Sequence, residues 1–509
     1  MIDLRRLLFL IASICLISSC GSGGASSTGQ QPVTTTPQTD PNYVRLTSDP
    51  GDYVGGGNEY AYSNANAIIS VTNGSGLLTI NIDGDLTWNG IFQLPDTYTQ
   101  LAVGTYNNLT RYASHDDAVG GISFGGNGND DGSGCDTLTG TLTIDKVSFD
   151  GTTLTAIDFR FVQYCNGVSA ALRGEIHWDA NDTTRPTGPL LTPPVGLWQP
   201  AIGVVPSSGN YFYLESEAGD SVGSGGTYLY TPDTSVIRIN AVDRRLSVDA
   251  YGDEEWDAEF KVMISLDQLE VGYYGQLQRY PFHNEARGGI RVSGEGRNCS
   301  NLTGWFVVDS VTYDATSLEA FELRFEQICE GSTAALHGAI RWDVNDTTLP
   351  PGPVLPVPTG LWRPAPGITP ATGSYIYLES EIGDWVGEGN SVVYTPADRQ
   401  FTVRTSADKS LAVETDPYER WRGDFIAMDF LNRLEVGYYG NVQRYSYNNP
   451  ALGGMSWIRV GRTCETVSGW FAVDSITFDG AAVTAVDLRF EQHCNDAEPA
   501  LHGEVHWVQ

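Results

Sequence analysis

The chain has 509 residues, a formal net charge of −33 at pH 7 and a sequence pI near 4.4. A surface that acidic repels a phosphate backbone, which excludes nucleic acid as a partner. It keeps a displayed protein soluble and holds divalent cations loosely, without defining a site for them. No stretch from residue 43 onward is apolar enough to cross a membrane as a helix, which takes about 20 residues.

In chain order, Arg5 and Arg6 precede an apolar run of 11 residues, 7–17, and Ile17-Ser18-Ser19-Cys20 follows. This reads as a targeting segment, not as structure. It resembles the lipobox of bacterial lipoproteins, in which the signal is cut before the cysteine and that cysteine is lipidated. The resemblance implies a signal peptide over residues 1–19, lipidation at Cys20 with palmitate, and contact with the membrane through that lipid. Gly21 follows with no Asp, so the same resemblance implies the outer membrane of a bacterial cell envelope. An ordinary secretory signal that happens to end in Cys is the other reading. The Gly, Ser, Thr, Gln and Pro tract that completes residues 20–42 reads as a flexible tether.

A domain-sized unit then occurs three times, starting at Tyr43, Tyr211 and Tyr375, a spacing of 164 to 168 residues. Each copy opens on a Gly-Asp turn and continues through Trp-x-x-x-Phe (Trp88, Trp256, Trp421) and a Gly-Gly pair. Each ends on a segment running from one cysteine to a closing Trp: 135–178, 299–342 and 464–507. That segment alternates with period two, the mark of a half-buried strand. Phe321, Leu323, Phe325, Gln327 and Cys329 share one face, and Glu322, Arg324 and Glu326 share the other. Nine or ten such strands per copy, with no amphipathic helix, predict an all-β chain of three tandem antiparallel β-sandwich domains, jelly-roll-like. A closed β-barrel is the alternative. The domains occupy residues 43–179, 211–343 and 375–509. Two cysteines per copy in an exported chain predict the disulfides Cys135–Cys165, Cys299–Cys329 and Cys464–Cys494, each worth about 3–4 kcal/mol in the chain-entropy model.

The connectors at 180–210 and 344–374 are near-copies, each with Asn-Asp-Thr-Thr and Gly-Leu-Trp. With the residue on either side they hold 14 of the chain's 25 prolines. That composition predicts stiff, extended linkers, with Trp198 and Trp362 packed at the domain junctions to fix the angle between neighbours. The combination of GDxVGxG, RFEQxC, ALHGx(I/V)xW and NDTT linkers resembles a tandem module of uncharacterised secreted bacterial proteins. The resemblance covers all three repeats and implies an exported β module. It brings no established activity and no catalytic residues to transfer.

The Gly-rich turns at 51–57, 219–225 and 383–389 lack the Lys and following helix of a phosphate loop and read as hairpins. Asp49, Asp52, Glu217, Asp220, Glu381 and Asp384 beside them are weak candidates to lend oxygens to Ca²⁺. Asn127, Asn129 and Asp131 approximate a calcium loop whose twelfth position is Leu138 where a Glu belongs. His502 and His506 flank Gly-Glu-Val, but residues four apart on a strand lie about 13 Å from each other, too far to share an ion. Arg160, Arg324 and Arg489 mark a polar outer patch with Asp158, Glu322, Glu326, Asp487 and Glu491, beside Arg173, His177, His337, Arg341, His502 and His506. Asp145, Asp309 and Asp474 are expected at a β-bulge, capping backbone N–H groups. No histidine holds one position in all three copies and no Ser/His/Asp, metal or cofactor motif is present. The expectation is therefore a non-enzymatic protein without a cofactor, binding an extracellular glycan or protein ligand or serving adhesion. A structural spacer is the first alternative, and a hydrolase with paired carboxylates the second.

Overall fold

A computed structural model describes residues 41–126, 135–407, 409–415 and 420–509. Pro41–Gln509 forms one compact unit. Its regular structure among the described residues is strand, apart from one short 3-10 turn at Tyr112–Ser114. The first repeat contributes β1 (Tyr43–Ser48), β2 (Glu59–Ser63), β3 (Ile68–Asn73), β4 (Leu77–Asp83), β5 (Thr87–Gln93), β6 (Gly104–Arg111), β7 (Gly121–Gly126), β8 (Leu138–Asp150), β9 (Thr153–Cys165) and β10 (Ala171–Asp179). The second runs from β11 (Tyr211–Ser216) to β20 (Ala335–Asp343), and the third from β21 (Tyr375–Ser380) to β30 (Ala500–Val508).

Each set of ten makes one sheet in the same order, β2-β1-β10-β9-β8-β6-β7-β5-β4-β3 in the first copy. Neighbours are antiparallel except β6 and β7, which run parallel for two residues before diverging. The sheet folds over at that corner, so its two wings face each other. Phe92 on β5 meets Phe159 and Phe161 on β9, with ring centroids 5.2 and 5.3 Å apart. The protein is all-β, with three tandem antiparallel sandwiches. The sandwich and barrel descriptions meet here, because one continuous sheet curls on itself while β2 and β3 remain the outermost strands.

The repeated motifs are the parts that hold the wings together. Trp88, Trp256 and Trp421 lie buried and donate their indole N–H to Tyr62, Tyr230 and Tyr394 across the open seam, at 2.9, 3.0 and 3.1 Å. The Gln of RFEQxC works at the opposite corner. Beyond the two paired residues, β17 (Gly289–Gly294) has no strand on one side, and Gln327 substitutes for one. It accepts from the Val292 N–H at 2.8 Å and donates to the Val292 carbonyl at 3.0 Å. Gln163 does the same at Phe124, and Gln492 at Trp457. The Gly of ALHG leaves room for the Phe of RFEQ on the neighbouring strand. A Cβ on Gly338 would stand 2.3 Å from the Phe325 ring.

The three disulfides form as expected, with Cα–Cα distances of 5.0 to 5.2 Å. Cys20, residues 21–40 of the expected tether, and Asn127, Asn129 and Asp131 lie outside the described residues, whereas Asn42 is buried against domain 1. A bulge does interrupt β8, β18 (Leu302–Asp314) and β28 (Val467–Asp479) at Asp145, Asp309 and Asp474. The expected backbone capping is not what these side chains do. Each instead pairs in bidentate fashion with Arg160, Arg324 or Arg489, because the bulge turns the carboxylate toward the guanidinium across the ladder.

Candidate functional site: linker seats and domain joints

The connectors are packed onto the domains rather than standing free. Asp182 closes the end of domain 1, accepting from the Asn42 N–H, the Asn64 amide and the Thr184 N–H. Burial pushes its carboxyl up, but these bonds outweigh burial and hold it below the usual carboxylate range. Asp346 closes domain 2 in the same way with Asn210 and Thr348. Further along, Leu190 forms an antiparallel bridge with Tyr273 on β16 (Gly272–Arg279), and Val354 bridges Tyr438 on β26 (Gly437–Arg444). The docking edge exists because these strands pair with β17 and β27 (Gly454–Arg459) only at their far ends.

The tryptophans then lie flat on the outer face of the domain that follows. Trp198 stacks on His337 and Trp362 on His502, each with centroids 5.0 Å apart and interplanar angles of 9° and 12°. Their carbonyls accept from Arg324 and Arg489 at 3.0 and 2.8 Å. This corrects the expectation that they wedge the junctions, since their partners belong to one domain. Glu217 and Glu326 flank His337, and Glu381 and Glu491 flank His502, at 3.4 to 3.6 Å. Domain 1 carries Arg173 and Arg45 where the later domains have the stacking His and Tyr. Its Arg160 side chain is 63% exposed, against 12% for Arg324 and 2% for Arg489. Removing the ring with Trp362→Ala should cost about 1–3 kcal/mol. Hydrogen exchange should quicken about 5- to 150-fold at the docked connector, following that loss, while the domain 3 core stays protected.

The domains meet through one polar joint made twice. Asn284 donates its side-chain amide to the Asp85 carboxylate at 2.8 Å and to the Asn66 carbonyl at 2.9 Å. Gln278 donates to the Asp85 carbonyl, and Arg287 clamps the Asp85 carboxylate. At the second joint Asn449 bonds Asp253 and the Thr234 carbonyl, with Gln443 also on Asp253. Arg238 and Asp429 add an exposed pair at 3.3 Å. Between these domains the connector lines a groove with Ile237, Trp342, Leu349 and Phe430.

The first joint alone buries a histidine. His283 is 7% exposed beside Lys261, Tyr280 and Glu285, within electrostatic reach of Asp83 from domain 1. Burial holds its basicity below the ordinary value, although Glu285 pulls the other way. A histidine docked neutral and freed at an ordinary pKa of about 6.5 stabilises docking fully above that pH and loses ground below it. The first joint should therefore loosen as pH falls below ~6.5. Across the joint the Asp83 carboxylate works the other way, favouring the charged imidazole. The second joint has Asn448 at this position and should not respond, which interdomain distances measured against pH will show.

The remaining sequence candidates have separate partners. Asp52, Asp220 and Asp384 accept from a Ser hydroxyl and two backbone N–H groups inside their turns. Asp49 pairs with Arg173, and Glu217 and Glu381 accept backbone N–H groups. His177 pairs with Asp158, Arg341 with Glu322 and His506 with Asp487, so His502 and His506 serve different neighbours. No group of three or more potential metal ligands occurs among the described residues. Sequence reasoning missed the joints. The signal was Asn at one position of repeats two and three, and Gly-Asp before the Trp of repeats one and two.

Two exposed rings also occupy one repeated position. Phe282 and Tyr447 are 76% and 77% exposed, with Arg279 and Arg444 5.6 and 5.1 Å from their centroids. Trp385 adds a third ring, half exposed, with Arg462 over it. These features define a class, a tandem array of disulfide-stapled β-sandwiches with packed connectors. Neither a family model nor a curated protein matches the chain.

Proposed function

We propose that the protein is a non-catalytic cell-envelope lipoprotein, anchored through Cys20, that presents three β domains as one jointed array to an extracellular glycan or protein ligand. The observation that carries this reading is the joint itself, made twice from the same residue types at the same positions. A chain whose domains acted singly would need neither joints nor strapped connectors. Fixing the domains relative to one another lets repeated contacts add without a new ordering cost. The carboxylates of the outer faces are taken up by Arg, His and backbone partners, which favours binding over hydrolysis. Phe282, Tyr447 and Trp385 are the rings offered for contact, since exposed aromatics stack on apolar sugar or peptide faces.

Two measurements test this. Wild-type chain should take up palmitate label while Cys20→Ala does not; equal labelling sinks the anchor. Retention on a panel of immobilised polysaccharides and surface proteins should fall at least about tenfold in the triple Ala variant at 282, 385 and 447, the loss of about 1.4 kcal/mol or more. A panel that retains neither protein favours the spacer reading.

A further inference from the structure

We propose that the outermost strand of domain 2 is a strand-addition site, and that its partner is an extended polypeptide with apolar side chains alternating along one face and basic residues at its ends. The proposal rests on the reading of the array as a binding protein and names the class of its protein ligand.

β13 (Val236–Val242) ends its sheet, with a neighbour on one side only. It joins β14 (Arg245–Tyr251) through Asp243 and Arg244, both at positive φ, in the two-residue turn whose flanking pair, Val242 and Arg245, is hydrogen-bonded. Bonding alternates from there. Val236, Arg238, Asn240 and Val242 bond to β14, while Ile237, Ile239 and Ala241 turn their N–H and C=O groups outward. The same three residues stand opposite the buried Ala250, Val248 and Leu246, on the inner side of the sheet. The strand has one charge, no proline and an unbroken register, so it lacks the usual guards of an exposed edge.

A slot opens at each end of this strand. One, of about 280 Å³, is the groove that Ile237 shares with Trp342, Leu349 and Phe430. The other, of about 200 Å³, lies by Ala241 among Leu246, Leu269, Tyr313 and Leu318. Ile237 and Ala241 are about 13 Å apart at the rise of a strand, which is the spacing of side chains four apart on an added strand. Main-chain bonds to an edge, with pockets for alternate side chains, are how extended peptides are recognised. The other domains fill the place of the second slot. In domain 1 the Asn73 amide donates to the Thr152 carbonyl and accepts from the Leu154 N–H, both at 3.2 Å, and Gln100 donates to the Gly151 carbonyl. In domain 3 the Arg433 guanidinium lies 4.5 Å from the Phe478 ring centroid. Domain 2 has Ala241 in place of Asn73, and Gln268 where Gln100 and Arg433 stand. Carboxylates outnumber free cations at both mouths. Asp343, Asp346 and Asp429 stand at one with Arg238. Asp243 and Asp267 stand at the other with Arg244, where Arg245 is held by Glu259. Basic ends on the added strand answer that excess.

The test uses the full chain and a labelled, capped peptide, Lys-Val-Thr-Val-Thr-Val-Lys, followed by fluorescence anisotropy and amide exchange. The peptide should bind with a Kd below ~1 mM and slow exchange at Ile237, Ile239 and Ala241. Methylating its valine nitrogens removes the bonds to the edge and should weaken binding at least about tenfold. Ala241→Pro should do the same, since that N–H takes no part in the β14 ladder and proline is tolerated at such a position. Ala241→Asn, which copies the arrangement of domain 1, should also weaken binding and decides the matter should the proline variant fail to fold. Wild type that does not bind, a methylated peptide that binds equally, or a folded variant at 241 that binds as wild type overturns the proposal. The variant with Ala at 282, 385 and 447 keeps both slots and should bind the peptide unchanged, so failure at this edge and failure of the exposed rings are separate results.

Discussion

Gln327→Leu should lower the stability of domain 2 by about 2–5 kcal/mol, the largest effect expected of a single core substitution that preserves volume. Leu fills much the same space, so little of this comes from a cavity. The cost arises because the Val292 N–H and C=O both end on Gln327, in a buried corner where β17 has parted from β16. Each stranded group costs about 1–3 kcal/mol, and water has no route to them. Gln327→Glu should fall between, since a carboxylate accepts from the N–H but returns no donor to the carbonyl. Calorimetry of the full chain, with exchange of the Val292 amide as the local probe, checks this. Loss of less than about 1 kcal/mol would mean that the corner rearranges to satisfy itself.

Asn284→Asp should open the first joint. The substitution keeps the oxygen that accepts from Ala286 and so leaves the loop intact. It replaces the donor with an anion facing the Asp85 carboxylate and the Asn66 carbonyl. Two hydrogen bonds are lost and like charges meet about 3 Å apart, a penalty of about 3–5 kcal/mol at a partly buried site. Asn284→Ala should cost less, because it removes the bonds without adding repulsion. Each domain should melt as before, as the joint contributes nothing to either core, and the second joint should be unaffected. Small-angle scattering should show the added freedom between domains 1 and 2.

The parts legible in the sequence were those set by local alternation. Phe321, Leu323, Phe325 and Cys329 alternate on one strand, and their burial follows directly from a period of two. The cysteine pairs were readable because two cysteines in one repeat have only each other. Gln327 was placed inward, yet its purpose was hidden, because it answers a gap created where two distant strands diverge. The break in alternation shows the bulge at Asp145, Asp309 and Asp474 but not their Arg partners, since period alone does not say which cross-strand cation is in reach. Proline content predicts stiffness and says nothing of an open strand edge nearby, so the seats of Trp198 and Trp362 are hidden in the sequence. The joints were harder still, since Asn284 and Asp85 lie 199 residues apart and neither belongs to a motif.

The central claim is that three domains are held as one jointed array. Spin labels introduced without cysteine chemistry at the exposed positions Val168 and Val242 report on the first joint, and labels at Val242 and Val460 on the second. Pulsed distance measurement at neutral pH should give one narrow peak for each pair. A broad distribution for either pair, of the kind two folded domains give on a free linker, would contradict the account.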